Sequence, residues 1–310
     1  MDSAKYLEEF RYFLKVERSL SDNTTIAYMG DCTRFCDFLS TEYPDKEFSD
    51  ITPQIIDEFL QTILVFKDRN EEEKLLKATS QTRIIQSLRA FFKFLVFNDV
   101  LQKDISKLVI TPKLEQKLPV ILEEEEIFAM MNAIDTSTGY GYRNWLSIEF
   151  LYATGLRVSE FINLKLDNIN FKQEYLDIIG KGDKERFVPI AANVLNDLKN
   201  YIKNYRSKVN IQSQSRDYVF VSHTRGSEMT RQAINKMLNE AALKAGIKKK
   251  IHPHILRHSF ATELIRNGAN LVAVKEMLGH SCITATEIYI NLKTDDLRHT
   301  LQYQHPFYEK

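Results

Sequence analysis

Apolar residues recur at helical intervals through most of the chain. Behind Ser21-Asp22-Asn23, which supplies an N-cap, Ile26, Met29, Phe35, Phe38 and Leu39 follow one face down to Ser40. A shorter helix is predicted from Thr52 to about Leu64, with Pro53 in its first turn, where a missing N–H costs nothing. Lys67 to Lys77 reads as a charged connector or an extension of that helix. Ser80 is then expected to cap a long segment whose apolar stripe is Ile84, Ile85, Leu88, Phe91, Phe92 and Leu95. Tyr6 to Leu108 thus predicts a small domain of about four helices. Lys5, Arg83, Arg89 and Lys93 lie on its faces, where charges are ordinarily solvated.

Thr111 to Pro119 lacks this periodicity and is bounded by Pro112 and Pro119, the pattern of an interdomain linker. The chain therefore divides into residues 1–110, a linker at 111–119, and residues 120–310. Glu123 to Glu126 precede Ile127, Met130, Met131 and Ile134, and acids are favoured in a helix's first turn by the macrodipole. Helices dominate from there, with one interruption. Tyr175-Leu176-Asp177-Ile178-Ile179 and Arg186-Phe187-Val188-Pro189-Ile190 flank Gly180-Lys181-Gly182-Asp183, a β-hairpin signal. The expected fold is mainly α with a small β-hairpin or sheet.

Composition fits two soluble domains: 310 residues, 44% hydrophobic and 27% charged. The formal net charge is zero, so any surface for a polyanion is a local patch and not a property of the whole molecule. Residues 1–112 hold 15 Lys+Arg against 19 Asp+Glu, and residues 113–310 hold 27 against 23. The N-terminal stretch is acidic and amphipathic, unlike a signal peptide, and no run of about 18 apolar residues offers a membrane span. Cys32, Cys36 and Cys282 form an odd, sparse set without a CxxC pair, which suits a reducing cytoplasm. Cys32 and Cys36 share a helix face and are expected to pack inside it.

Six residues of the second domain carry candidate chemistry: Arg157, Lys181, His254, Arg257, His280 and Tyr289. Gly155 is expected to end the apolar helix of Trp145, Ile148 and Leu151, so that a new helix starts at Leu156 or Arg157. An arginine there meets gathered backbone N–H groups, which suits a phosphate, although a helix-terminal salt bridge is the alternative. Lys181 stands between two glycines at a hairpin tip, free to swing towards a ligand or simply to face solvent. Pro253 suits a first helical turn and places His254 and Arg257 three apart on one face, with His258 also on it. Three nearby histidines evoke a metal site, but neither an HExxH arrangement nor a matching Cys/His pair accompanies them. Gly279 is expected to break a helix before His280, with Ser281 as the next N-cap. In one continuous helix, nine residues at about 100° each would put His280 and Tyr289 on opposite faces; the break lets both face one cavity.

The segments ATGLRVSE (153–160), GKGDKERFVPI (180–190), HPHILRHSFAT (252–262) and LGHSCITATEIY (278–289) resemble, in order and separation, the catalytic motifs of the tyrosine recombinases of the phage-integrase family. The similarity is greatest to Xer-type members. Val16-Glu17-Arg18-Ser19-Leu20-Ser21-Asp22-Asn23-Thr24 and Leu88-Arg89-Ala90-Phe91-Phe92-Lys93-Phe94-Leu95 look like that group's core-binding domain. The resemblance implies a helical SAM-like core-binding domain and an α+β catalytic domain that grip double-stranded DNA as a clamp. It implies Tyr289 as nucleophile, Arg157 and Arg257 on the phosphate, Lys181 as general acid, His254 as acceptor of the tyrosine proton and His280 as a phosphate hydrogen-bond donor. No cofactor, metal or ATP is implied. The implied setting is cytoplasmic and nucleoid-associated: a tetramer on DNA, with itself or a paralogous recombinase, and a septal DNA translocase as a further implied partner. Cys282 departs from the usual serine, and Asp104-Ile105-Ser106-Lys107 lacks a customary proline.

Overall fold

The computed structural model describes residues 3–67, 72–112, 120–180 and 185–279. It divides into two units, Met1–Leu118 and Pro119–Lys310. In the first, α1 (Ser3–Tyr12), α2 (Asp22–Glu42) and α3 (Pro53–Leu64) are followed by a short antiparallel pair, β1 (Val65–Lys67) and β2 (Glu73–Leu75), and then by α4 (Ala78–Phe97). Ser21 caps α2 by accepting the Thr24 N–H, and Pro53 opens α3. The pairing of β1 with β2 replaces the expected connector. It also moves the start of α4: the chain leaves β2 at Leu76, and the Lys77 carbonyl already accepts the Ser80 and Gln81 N–H groups. Lys77, not Ser80, is therefore the N-cap.

Phenylalanines dominate this unit's core. Phe10, Phe35, Phe59, Phe91 and Phe92 are buried, with Phe10–Phe91 and Phe35–Phe59 ring centroids both 5.1 Å apart and edge-on. Cys32 and Cys36 are buried among them, and burial pushes the Cys36 thiol up to about 12. One polar knot crosses the core. Buried Asp31 accepts from Arg34 at 2.6 Å, from Ser87 at 2.8 Å and from Arg83, tying α2 to α4. Arg89 donates to the Val109 carbonyl at 2.9 Å. Arg83 and Arg89 are thus partly buried tie points, whereas Lys93 is exposed.

In the second unit, α5 (Glu124–Asn132) opens on Glu123, whose N–H is taken by Glu126 at 2.9 Å. The next helix, α6 (Gly139–Thr154), is buried on nearly every side and forms the axis of the unit's core. Then come α7 (Val158–Ile162) and an antiparallel sheet ordered β3 (Ile169–Asn170), β4 (Tyr175–Ile179), β5 (Glu185–Pro189), with Ile178 opposite Arg186. The hairpin was expected; β3 was not, being only two residues long. Beyond α8 (Ala192–Asn200) the helical path continues through a π turn (Tyr201–Tyr205) and a 3-10 turn (Arg206–Lys208), and the chain is then largely irregular until α9 (Arg231–Lys244). Arg206 holds this second interruption by donating to the carbonyls of Arg216, Tyr218 and Val219. The helices α10 (Pro253–Arg266) and α11 (Leu271–Leu278) complete the described residues. No described helix is long and apolar enough to cross a membrane.

Candidate active site

Gly155 ends α6 in the left-handed region at φ +60°. A Cβ there would sit 2.5 Å from the ring of buried Phe260, so both backbone angle and space require glycine. This tight exit lets the chain turn at once into α7. Arg157 is the extended N-cap of that five-residue helix and not part of its first turn, one position short of the sequence expectation. Its own N–H goes to Glu160 Oε2 at 2.7 Å, and its guanidinium leaves the helix start to meet Glu160 Oε1 through Nη1 at 2.8 Å. The helix-terminal ion pair, left open as an alternative, is therefore present.

Pro253 opens α10 as predicted and brings Arg257 to the same place. Arg257 Nη1 donates to the Gly155 carbonyl at 2.6 Å, and Nη2 donates to the Leu278 carbonyl. Arg186 arrives from β5 and meets Glu160 in a two-pronged pair, Nη1 to Oε1 at 2.9 Å and Nη2 to Oε2 at 2.8 Å. Its Nε donates to the Met277 carbonyl at 2.9 Å, and Arg157 Nη2 donates to the Gly279 carbonyl at 2.9 Å. Three successive carbonyls at the end of α11 are thereby each held by a different arginine. The negative end of the helix favours this arrangement, and Gly279, left-handed at φ +62°, presents the last of the three. The helix break foreseen at Gly279 is thus built from long-range contacts as well as from the glycine.

The electrostatics follow from burial and proximity. Glu160 is 6% exposed, which alone would raise its carboxyl. The pairs with Arg186 and Arg157 outweigh that and hold it below the usual carboxylate range, so it is ionised. Arg257 is pushed down to about 10, first by burial and then by the Arg157 charge, and stays protonated at neutral pH. Three guanidiniums around one carboxylate leave a net charge of about +2 in a partly desolvated site, a strong lure for a phosphate. His254 lies on α10, exposed, three residues before Arg257. Partial desolvation of one side of its ring, then His252, Arg257, Arg157 and Arg231, lower its affinity for a proton and favour the neutral imidazole. A neutral imidazole beside two arginines can accept a proton.

A cleft of about 510 Å³ runs from Arg157 and Glu160 past Asn163 and Lys165 to Gly180 at the end of β4. Lys181, His280 and Tyr289 lie outside the described residues. The structure therefore brings together Arg157 and Arg257, with His254 within their field. Sequence reading missed Glu160 and Arg186 as members. Their signal was present, a carboxylate three residues after Arg157 and an arginine in the strand following the Lys181 turn, but neither implies the other without the fold.

Residues 121–296 match the phage integrase family, and residues 7–98 match the phage integrase N-terminal SAM-like domain. The chain belongs to the phage integrase family. It is 37% identical to tyrosine recombinase XerD of Staphylococcus aureus (strain Mu50 / ATCC 700699) over 300 residues, covering 97% of this chain and 98% of that relative. XerD of Staphylococcus epidermidis is also 37% identical, over 303 residues. The fold is shared with the XerH site-specific recombinase bound to difH substrate in a pre-cleavage complex, at TM-score 0.65 and 24% identity, covering 96% of this chain and 84% of that one. It is shared too with the lambda integrase(75-356) dimer bound to a COC′ core site, at TM-score 0.66 and 19% identity, covering 94% and 99%. This family member is accordingly a XerD-like tyrosine recombinase, an enzyme of site-specific DNA recombination. The phage integrase family match at 121–296 includes the positions of Lys181, His280 and Tyr289.

Proposed function

We propose that this recombinase cuts and rejoins DNA through a 3′-phosphotyrosine intermediate and a Holliday junction, and that it resolves chromosome dimers at segregation. The observation that carries the reading is the paired guanidiniums of Arg157 and Arg257, bound to the carbonyls of Gly279 and Leu278 at the helix end that leads into His280. In the cleavage step the Tyr289 oxygen attacks the scissile phosphorus and the P–O5′ bond breaks. The tyrosine proton passes to His254, and Lys181 protonates the departing 5′-oxygen. Arg157 and Arg257 bind the non-bridging oxygens as charge builds on them, with a hydrogen bond from His280. The phosphotyrosine conserves the energy of the broken bond, so rejoining requires neither ATP nor a metal ion. A free phenol titrates near pH 10, and the adjacent cations and neutral His254 together make its ionisation feasible near neutrality.

The partners in this reading are a double-stranded DNA recombination site and three further recombinase subunits, self or paralogous. A septal DNA translocase would time the reaction, and the protein would work in the cytoplasm on the nucleoid. The 37% identity to XerD along nearly the full length supports chromosomal resolution over integration of a mobile element. Digestion of a trapped covalent complex, followed by mass spectrometry, tests the chemistry: a nucleotide carried through its 3′-phosphate on the Tyr289 peptide supports it. An adduct on any other residue, or on a 5′-phosphate, refutes it. Recovery of one chromosomal site near the replication terminus from bound genomic fragments supports the biological role, and recovery of mobile-element ends refutes it.

A further inference from the structure

Glu160 has two carboxylate oxygens, and Arg186 faces both. Arg157 shares only Oε1 through its guanidinium, reaching Oε2 by its backbone N–H, and Arg257 Nη1 stands back at 3.9 Å from Oε2. We propose that Arg186 is a positioning residue: it saturates Glu160 so that the Arg157 and Arg257 guanidiniums keep their charge for the scissile phosphate. This rests on the phosphotyrosine reading above. A buried carboxylate deprived of one partner draws in the next nearest cation, because an unpaired ion in a desolvated site is costly. Without Arg186 that cation is Arg257, close at hand, or Arg157, already on Oε1. Either would close on Glu160 and surrender donors that the phosphate needs. The local charge would fall from about +2 to about +1 at the place where negative charge accumulates.

Arg186 is well placed for this role and poorly placed for direct catalysis. Its side chain is 10% exposed. All three of its nitrogens are engaged, two with Glu160 and Nε with the Met277 carbonyl. A Cβ on Gly279 would come within 3.3 Å of its Cδ and Nη1, so the arginine also packs under the turn that precedes His280. Lysine at this position would retain a charge for Glu160 but could not span both oxygens.

The test compares rates of covalent-complex formation on a nicked duplex carrying the site that the wild-type protein cleaves. Arg186→Gln is expected to slow cleavage by about 10- to 100-fold, less than loss of a direct phosphate ligand. Arg186→Lys should retain more of the rate than Arg186→Gln. The discriminating variant is Glu160→Gln combined with Arg186→Gln. It removes the carboxylate that captures the arginines, returns the local charge to about +2, and should cleave faster than Arg186→Gln alone. A duplex with a methylphosphonate at the scissile position needs less charge neutralisation, so Arg186→Gln should lose less on it than on the phosphodiester. Thermal midpoints followed by Trp145 fluorescence establish that each variant is folded. With wild-type cleavage intact, a double variant no faster than Arg186→Gln, or equal losses on the two duplexes, overturns the role of Arg186 alone. Absence of any Tyr289-dependent covalent band from the wild-type protein overturns the phosphotyrosine reading and this proposal with it.

Discussion

Replacing Gly155 by alanine attacks the turn on which the arginine cluster is built. Two costs add. At φ +60° an alanine sits in the left-handed region, worth about 1–2 kcal/mol against it. Its Cβ would lie 2.5 Å from Phe260 Cδ1 and 3.1 Å from Leu278 Cδ2. Phe260 is wholly buried, so the ring cannot swing into solvent, and relief by shifting core groups costs about 1–3 kcal/mol. The catalytic unit should therefore lose about 2–5 kcal/mol of stability, or about 4–20 °C in its unfolding midpoint at about 2–4 °C per kcal/mol. The chain's single tryptophan, Trp145, lies in α6, the helix that Gly155 ends, so urea unfolding followed by its fluorescence reports this unit. Gly155 also offers its carbonyl to Arg257, so DNA cleavage should fall by more than the loss of folded protein explains. A variant within about 0.5 kcal/mol of the wild type, the range of an inconsequential surface change, would refute the reasoning.

Three further predictions test other parts of the structure. Glu149 is buried on α6, its Oε2 has no hydrogen-bond partner among the described residues, and burial followed by the Asp197 charge raises its carboxyl to about 8. The native state then holds a proton that the unfolded chain releases near 4.5, so stability falls as pH rises from about 4.5 to 8; Glu149→Gln should flatten that slope by a few kcal/mol in denaturant titrations at pH 5 and 8, and an unchanged slope would refute it. Arg257→Lys keeps the charge but loses the fork that reaches the Gly155 and Leu278 carbonyls, so covalent-complex formation should drop about 10²- to 10³-fold, and a drop of less than about threefold would refute its role. The segment through Thr294-Asp295-Asp296 to His305-Pro306 resembles the terminal segment that tyrosine recombinases donate to a neighbouring subunit, so with the chain truncated after Asn291 gel-shift assays should show retained DNA binding without tetramer assembly, and tetramers formed by the truncated protein would refute it.

What the sequence disclosed and what it hid divide along the range of the interaction responsible. Ser21, Pro53, Gly155, Pro253 and Gly279 act within a turn of the chain, and the structure uses each where its chemistry suggested. Ser80 misled because an equally local signal, its fitness as a cap, was overridden by the β1–β2 pairing that delivers the chain to Lys77 first. The second irregular stretch after α8 is held by Arg206 reaching carbonyls 10 to 13 residues on, a pattern with no periodicity to read. The same holds at the site. Motif order singled out Arg157 and Arg257, but the carboxylate they share with Arg186 exists only once β5, α7, α10 and α11 converge. Arg83 and Arg89 illustrate the error in reverse: charges on an apparent polar face proved to be partners of Asp31 and Val109.

The proposed chemistry requires Tyr289 to form a covalent bond with DNA. A nicked suicide duplex carrying the bound site, incubated with protein in excess EDTA, tests it directly. A protein–DNA band that resists denaturation, forms without divalent metal and disappears in Tyr289→Phe is the predicted result. A band that requires metal, or one that persists in Tyr289→Phe, would contradict the account.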